Sequence, residues 1–166
     1  VIDESLDEVS HDIKPVVEIA LQLLQSELLS IKEISTYIID IIAANLHPSQ
    51  SDLAKKLLIN LIPYLTCENQ DMIRYTFNPI ISIFTQGFLP NDMLQPFMQA
   101  FQNIIASPQL IQIRYMCVEA IGQMIFAVEE DILPFAAQVF QMILQAGIIP
   151  TEDGNTINLY DIDTKA

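Results

Sequence analysis

Two stretches of the chain decide the fold: DMIRYTFNPIISIF at residues 71–84 and IQIRYMCVEAIGQM at residues 111–124. In both, apolar residues recur at intervals of three and four, which is the spacing of one face of an amphipathic α-helix. The triplet Ile-Arg-Tyr begins at Ile73 and again at Ile113, 40 residues later. Self-similarity at a fixed period of about 40 residues predicts a repeat architecture.

The same register extends to both ends of the chain. DIKPVVEIALQLLQ at residues 12–25 matches DILPFAAQVFQMIL at residues 131–144, about three periods later. Seven amphipathic helices are predicted, at about 12–27, 31–46, 50–65, 70–86, 91–106, 109–128 and 129–146. A helix–turn–helix unit of about 40 residues is typical of HEAT and armadillo repeats.

We therefore predict an all-α protein, an alpha-alpha superhelix built as a HEAT-like solenoid of antiparallel helix pairs. The repeat units are predicted at residues 5–47, 48–88, 89–128 and 129–147, and an irregular acidic tail at residues 148–166. Gly87 and Gly147 are expected to end the helices that precede them.

The apolar stripes predict the core. In the second helix, the predicted core face carries Ile34, Ile38, Ile41 and Ile42. In the seventh, it includes Phe140, although that helix is apolar nearly all round. A helix of this kind is expected to pack on a further helix that this chain lacks. The tail would then be an insert between repeats of a longer chain.

Charge limits the classes of partner. Of 166 residues, 51% are hydrophobic, and 21 Asp and Glu against 7 Lys and Arg give a net charge of −14. The apolar content excludes intrinsic disorder. Seven scattered cations disfavour binding to nucleic acid or to anionic membranes, and the acidic surface favours a basic protein partner. The longest uncharged stretch, Met93–Ile113, contains six amide side chains and two prolines, which predicts that no segment spans a membrane.

The residues that carry catalytic or metal chemistry are isolated. Cys67 and Cys117 are 50 positions apart, His11 and His47 stand alone, and no motif for a phosphate loop or a nucleophile occurs. We therefore expect neither an enzyme nor a metal or cofactor site. Cys117 lies in the apolar register of its helix and is expected in the core, whereas Cys67 lies in a turn. Two lone thiols favour a reducing compartment, with a single disulfide as the alternative.

IRYMCVEAIGQM at residues 113–124 resembles the second-helix signature of HEAT repeats, in which Val-Arg is followed by small residues and then Ala-Leu-Gly. The residues that carry this match are Ile113, Arg114, Cys117, Ala120, Ile121 and Gly122. Ile73 and Arg74 repeat its beginning, but Phe77 and Pro79 depart from it, and Ser35 takes the place of the arginine in the first unit. Within HEAT proteins, the sequence from residue 107 to the end is similar to the importin-β (karyopherin) nuclear transport receptors.

The resemblance implies a binding function. A flexible superhelix would wrap basic cargo through an acidic concave face, shuttle between cytoplasm and nucleus, and release the cargo when the GTPase Ran, in its GTP form, binds elsewhere on a longer chain. The alternative is a HEAT scaffold subunit of a multiprotein complex, such as a phosphatase scaffold or a chromosome-organising subunit.

Six residues are candidates for these roles. Asp40 and Glu119 occupy equivalent repeat positions, and Glu33 and Asp71 add to the acidic surface, so these four are predicted to contact a basic partner. For any one of them, the alternative is a solvated helix face. Arg74 and Arg114 also share a repeat position. The resemblance implies that they form a structural ladder between repeats, and the alternative is a ladder that binds a ligand.

Overall fold

The computed structural model describes residues 4–150 and 156–158, with side chains described for residues 13–148. The α-helices are α1 Glu4–Leu24, α2 Leu29–Ala44, α3 Ser51–Leu61, α4 Gln70–Thr85, α5 Asn91–Ala106, α6 Arg114–Val128 and α7 Ala136–Ala146. Short 3₁₀ segments lie at Pro48–Gln50, Ile62–Thr66, Pro108–Ile113 and Glu129–Phe135. The prediction of an all-α protein is confirmed.

The helix count differs from the predicted seven. Residues 108–146 form one uninterrupted helical run, because the 3₁₀ segment Glu129–Phe135 joins α6 directly to α7, so the described residues form six runs. The helical backbone is nevertheless broken at Glu129, whose φ of 48° lies outside the range of a right-handed helix. By length and hydropathy this run would also suit a membrane span, as core helices often do. Of its most apolar 18-residue stretch, 44% is buried within the protein.

Part of the predicted irregular tail is ordered as a hairpin. Strand β1, Ile148–Pro150, pairs antiparallel with β2, Thr156–Asn158, with Ile149 opposite Ile157. Ile and Thr are β-branched and suit the extended backbone of a strand. The acidic residues of the segment had favoured the prediction of an irregular tail. The rest of the predicted tail lies outside the described residues.

The even-numbered helices pack side by side in chain order. Helix α4 lies between α2 and α6, α1 packs on α2, and α5 packs on α6, on α7 and on the 3₁₀ segment Ile62–Thr66. The even-numbered helices form one row and the odd-numbered helices a second. The core between these two rows includes an aromatic cluster that joins α4 to α5. The ring centroids of Phe84 and Phe97 are 5.1 Å apart in an edge-on arrangement, and Phe101 lies 5.9 Å from both Phe77 and Phe97. All four rings are fully buried, so they account for much of the apolar surface removed from water.

Most long-range side-chain hydrogen bonds join residues that are one repeat period apart. Lys55 Nζ donates to Asp92 Oδ2 at 2.7 Å, and Tyr64 Oη donates to the Leu24 carbonyl at 2.8 Å. Their separations of 37 and 40 residues are matched by further bonds spanning 36 to 42 residues, which pair Lys56 with Glu18, Ser82 with Asp40, Gln86 with Ala44, Asn91 with Asp131, and Gln138 with Gln102. Each helix pair is thus tied to the next one along the chain.

Helix ends follow local chemistry. The side chain of Asn69 accepts a hydrogen bond from the Met72 N–H at 2.9 Å and so satisfies one of the free donors at the start of α4. Gly87, with φ of +79°, ends α4 as predicted, because glycine enters the left-handed region without steric cost. Gly147 caps α7 with φ of −78°, so the expected left-handed cap is absent at that position.

The predicted core face of α2 is wrong in part. The side chains of Ile34 and Ile41 are 55% and 50% exposed, and the face of α2 that packs inward includes Ser35 and Thr36. Ser35 Oγ donates to the Ala20 carbonyl at 2.6 Å. Because serine is small and finds a partner there, α1 and α2 approach closely and the larger isoleucines turn outward. Phe140, also predicted in the core, is exposed on α7.

The two cysteines should differ sharply in reactivity. Cys117 is fully buried, as predicted, and burial raises the pKa of its thiol well above its usual value, while Arg114 opposes this shift. Cys67 is half-buried, and its Sγ lies 3.5 Å from the Asn69 carbonyl. We expect a thiol reagent to label Cys67 in the native protein at least about 100-fold faster than Cys117, which must wait for an opening event. Labelling of single-thiol Cys67→Ser and Cys117→Ser variants measures both rates, and equal rates would contradict the packing described.

Candidate functional site

The outward faces of the even-numbered helices carry exposed apolar side chains next to the predicted acids. Tyr37 on α2 is 66% exposed, and Tyr115 and Phe126 on α6 are 65% and 69% exposed. We call the following set the even-helix face, since these residues form the exposed stripes of α2, α4 and α6: Glu33, Ile34, Tyr37, Ile41, Asp71, Arg74, Asn78, Tyr115, Glu119 and Phe126. Five of the thirteen exposed large apolar side chains among the described residues belong to this set. Exposed apolar groups beside charged ones are typical of binding surfaces.

Between α2 and α4 this face is indented by a groove of about 390 Å³. We call it the α2–α4 groove, and its lining residues are Glu33, Ile34, Thr36, Tyr37, Asp40, Tyr75 and Asn78. Five of these come from α2 and two from α4, so the groove exists because the two helices pack side by side with long side chains at their rims.

The groove is electrostatically negative. Burial and then the negative charges of Glu33 and Asp71 raise the pKa of the Tyr75 hydroxyl, and its contact with the Glu33 carboxylate adds to this, while Arg74 opposes it. Asp40 is half-buried, and its Oδ1 accepts a hydrogen bond of 2.5 Å from Ser82 Oγ of α4. The Ser82 contact fixes the orientation of the Asp40 carboxylate.

The structure brings three of the four predicted acids close together. Glu33 and Asp40 both line the α2–α4 groove, since seven residues make two helical turns, and Asp71 acts on Tyr75 at its rim. Glu119 is exposed on α6, outside the groove. Asp71, Glu33 and Glu119 are all on the even-helix face, so their charges add to one surface potential.

The two arginines at equivalent repeat positions have different surroundings. Arg114 is buried, with Nη1 donating to the Ile148 carbonyl at 2.6 Å and Nη2 to the Ser107 carbonyl at 3.4 Å. Its Nε has no hydrogen-bond partner, and burial lowers the pKa of the guanidinium. Arg74 is exposed on α4 beside Tyr75. Arg114 therefore ties α6 to strand β1, while Arg74 belongs to the even-helix face.

Sequence reasoning missed the aromatic and aliphatic part of this face. Ile34, Tyr37 and Ile41 follow one another at helical spacing and form a second apolar stripe on α2. Because α2 is apolar on more than one side, its sequence already indicated that neighbouring helices would leave one apolar stripe exposed. Tyr75 was part of the Ile-Arg-Tyr repeat, but its position across from Glu33 depends on the packing of α2 against α4.

Among residues 13–148, whose side chains the structure describes, no group of three or more His, Cys, Asp or Glu is placed to hold a metal ion. The carboxylates and phenol rings that line the α2–α4 groove suit recognition of a cation or of a hydrogen-bond donor.

Comparison of the chain with models of protein families, with curated proteins and with solved structures gave no match.

Proposed function

We propose that this chain is a HEAT-type α-solenoid segment that binds a basic protein through the even-helix face. The observation that carries the proposal is the placement of Glu33 and Asp40 in one groove, beside exposed aromatic side chains. Carboxylates with aromatic neighbours are suited to the Lys and Arg side chains of a partner. With a net charge of −14, the chain would also attract such a partner over a distance.

Two features support the solenoid. The even-numbered helices follow one another in a single row, and most long-range side-chain hydrogen bonds span 36 to 42 residues. In a solenoid each repeat contacts mainly its neighbours, which is the pattern that such bonds describe.

The corresponding cellular role that we propose is that of an importin-β-like nuclear transport receptor, present in cytoplasm and nucleus. The acidic face would hold basic cargo, and Ran in its GTP form would release it. Because the resemblance implies a Ran site elsewhere on a longer chain, the test is capture of basic proteins by the longer chain that contains this one, with and without Ran bound to a non-hydrolysable GTP analogue. Release of the captured proteins is expected, and binding that ignores Ran would contradict the transport role.

A scaffold function is the second candidate, because an apolar patch lies at one end of the described helices. Leu133, Phe140 and Leu144, on Glu129–Phe135 and α7, are all exposed. Permanent complexes bury surfaces of this apolar kind. Stable co-purification of one subunit, insensitive both to salt and to Ran, would favour the scaffold over the transport receptor.

The acidic face makes a prediction for binding of a Lys- and Arg-rich peptide, measured by fluorescence anisotropy. Raising the salt from 50 to 300 mM should weaken binding at least about fivefold, because ions screen exposed charges. Neutralising three acids of the even-helix face, as Glu33→Gln, Asp71→Asn and Glu119→Gln, should weaken it about tenfold.

The control is a variant with the same net charge and three exposed acids neutralised elsewhere: Asp52→Asn, Glu68→Gln and Glu130→Gln. This variant should lose less than about threefold, since only the long-range attraction is reduced. Equal losses in the two variants would show that the even-helix face is not the binding surface.

A further inference from the structure

We infer that the α2–α4 groove seats an arginine side chain of the partner, with the guanidinium against the Tyr37 ring and the carboxylates of Glu33 and Asp40. This inference rests on the proposed function and names the part of the partner that this groove recognises. It follows from the charge of the groove, from its exposed ring, and from a second groove of similar composition in the same protein.

The charge of the groove calls for a cation. Glu33 and Asp40 both line it, and no Lys or Arg does. Arg74 acts on Tyr75 but is not among the lining residues. Since Ser82 holds the Asp40 carboxylate in place, a cationic group that enters meets a fixed acceptor at one end and Glu33 two turns away.

In a second groove, a cation of the chain itself lies over a tyrosine ring. It has about 370 Å³, lies where α2, the 3₁₀ segment Ile62–Thr66 and α4 meet, and is lined by residues that include Glu27, Glu68 and Tyr64. There the chain supplies its own cation, because Lys32 Nζ lies 5.1 Å from the centre of the Tyr64 ring. Both grooves thus combine two carboxylates with tyrosine, with two rings in the α2–α4 groove and one in the second, but only the second is lined by a lysine.

The size and exposure of the groove favour arginine over other cations. A volume of about 390 Å³ accommodates one long side chain and its backbone, and is too small for a packed helix. Tyr37 is 66% exposed, so its ring is accessible to a partner. A guanidinium stacks on such a ring and pairs with two oxygen atoms at once, whereas an ammonium is a strongly hydrated point charge.

The experiment compares three peptides that are identical except at four positions, which are all arginine, all lysine or all citrulline. Binding to the whole chain is measured by anisotropy at 100 mM salt, together with circular dichroism of each variant. The arginine peptide is expected to bind at least fivefold more tightly than the lysine peptide, and the citrulline peptide more weakly than both, because citrulline keeps the shape but loses the charge.

Variants of two exposed aromatic residues locate the effect. Tyr37→Leu should weaken binding of the arginine peptide at least about fivefold and binding of the lysine peptide less than twofold, whereas Tyr37→Phe should bind both as the parent does. Phe140→Leu is the control, since Phe140 is 60% exposed on α7 and lies outside both the groove and the even-helix face.

The outcomes separate this inference from the proposed function. If arginine and lysine peptides bind equally and Tyr37→Leu behaves as Phe140→Leu, the arginine seat is wrong. In that case the triple neutralisation of the even-helix face can still weaken binding, and the proposed function stands. If neither peptide binds, both proposals are overturned.

Discussion

Replacing Phe101 with alanine is expected to lower the free energy of unfolding by about 3–5 kcal/mol. Phe101 is fully buried on α5, and its ring lies 5.9 Å from those of Phe77 and Phe97. The substitution removes the apolar surface of the ring and leaves a cavity that the neighbouring rings fill only in part. Because the cluster joins α4 to α5, the loss acts on the contact between the two rows of helices.

Urea denaturation followed by circular dichroism measures the effect as a shift of the midpoint at constant slope. Phe126→Ala is the matched control, since the same atoms are removed from a side chain that is 69% exposed. It should change the free energy of unfolding by less than about 0.5 kcal/mol. Similar losses for the two substitutions would contradict the assignment of Phe101 to the core.

The second large effect is expected at Arg114. Substitution by methionine keeps most of the apolar stem but removes the donors to the Ile148 and Ser107 carbonyls. Hydrogen bonds from charged groups contribute about 1.5–3 kcal/mol each, and removing a partly desolvated guanidinium offsets some of the loss. We therefore expect Arg114→Met to lower the free energy of unfolding by about 2 kcal/mol.

The loss should be accompanied by loosening of strand β1, because Arg114 bonds to its first residue. Hydrogen exchange of the β1 amides should accelerate about tenfold or more, while amides in the middle of α4 change only with global stability. Arg74→Met is the control, since Arg74 occupies the equivalent repeat position but is exposed. Unchanged exchange in β1 would show that the guanidinium does not hold the strand.

Local periodicity was enough to predict the elements whose apolar stripe points in one direction. In α5, Met93, Phe97, Phe101 and Ile104 lie at helical spacing, which predicts a single core face, and all four are buried. In α2 the same reasoning was right for Ile38 and Ile42 but wrong for Ile34 and Ile41. Isoleucines occur on several sides of this helix, and only the neighbouring helices decide which side is covered. The short Ser35 side chain packs against α1 because it lets the two backbones approach and donates a hydrogen bond to the Ala20 carbonyl.

The candidate site was predictable to a similar degree. Glu33 and Asp40 lie two turns apart on one helix, so their common face follows from sequence alone. The contribution of Tyr75 does not, because it comes from α4 and reaches the groove only through the packing of α4 on α2. The different surroundings of Arg74 and Arg114 were also hidden, since equivalent repeat positions do not have equivalent neighbours near strand β1.

The spacing of the side-chain hydrogen bonds has a mechanical consequence. Bonds such as Tyr64 to Leu24 and Asn91 to Asp131 connect one helix pair to the next, 40 residues on. A force applied along such a row acts on every interface between neighbouring helix pairs in turn. The small displacements at the individual interfaces therefore add up along the row. We expect the row of helices to respond as a soft spring, which bends and stretches by small rotations at each interface while every helix remains intact.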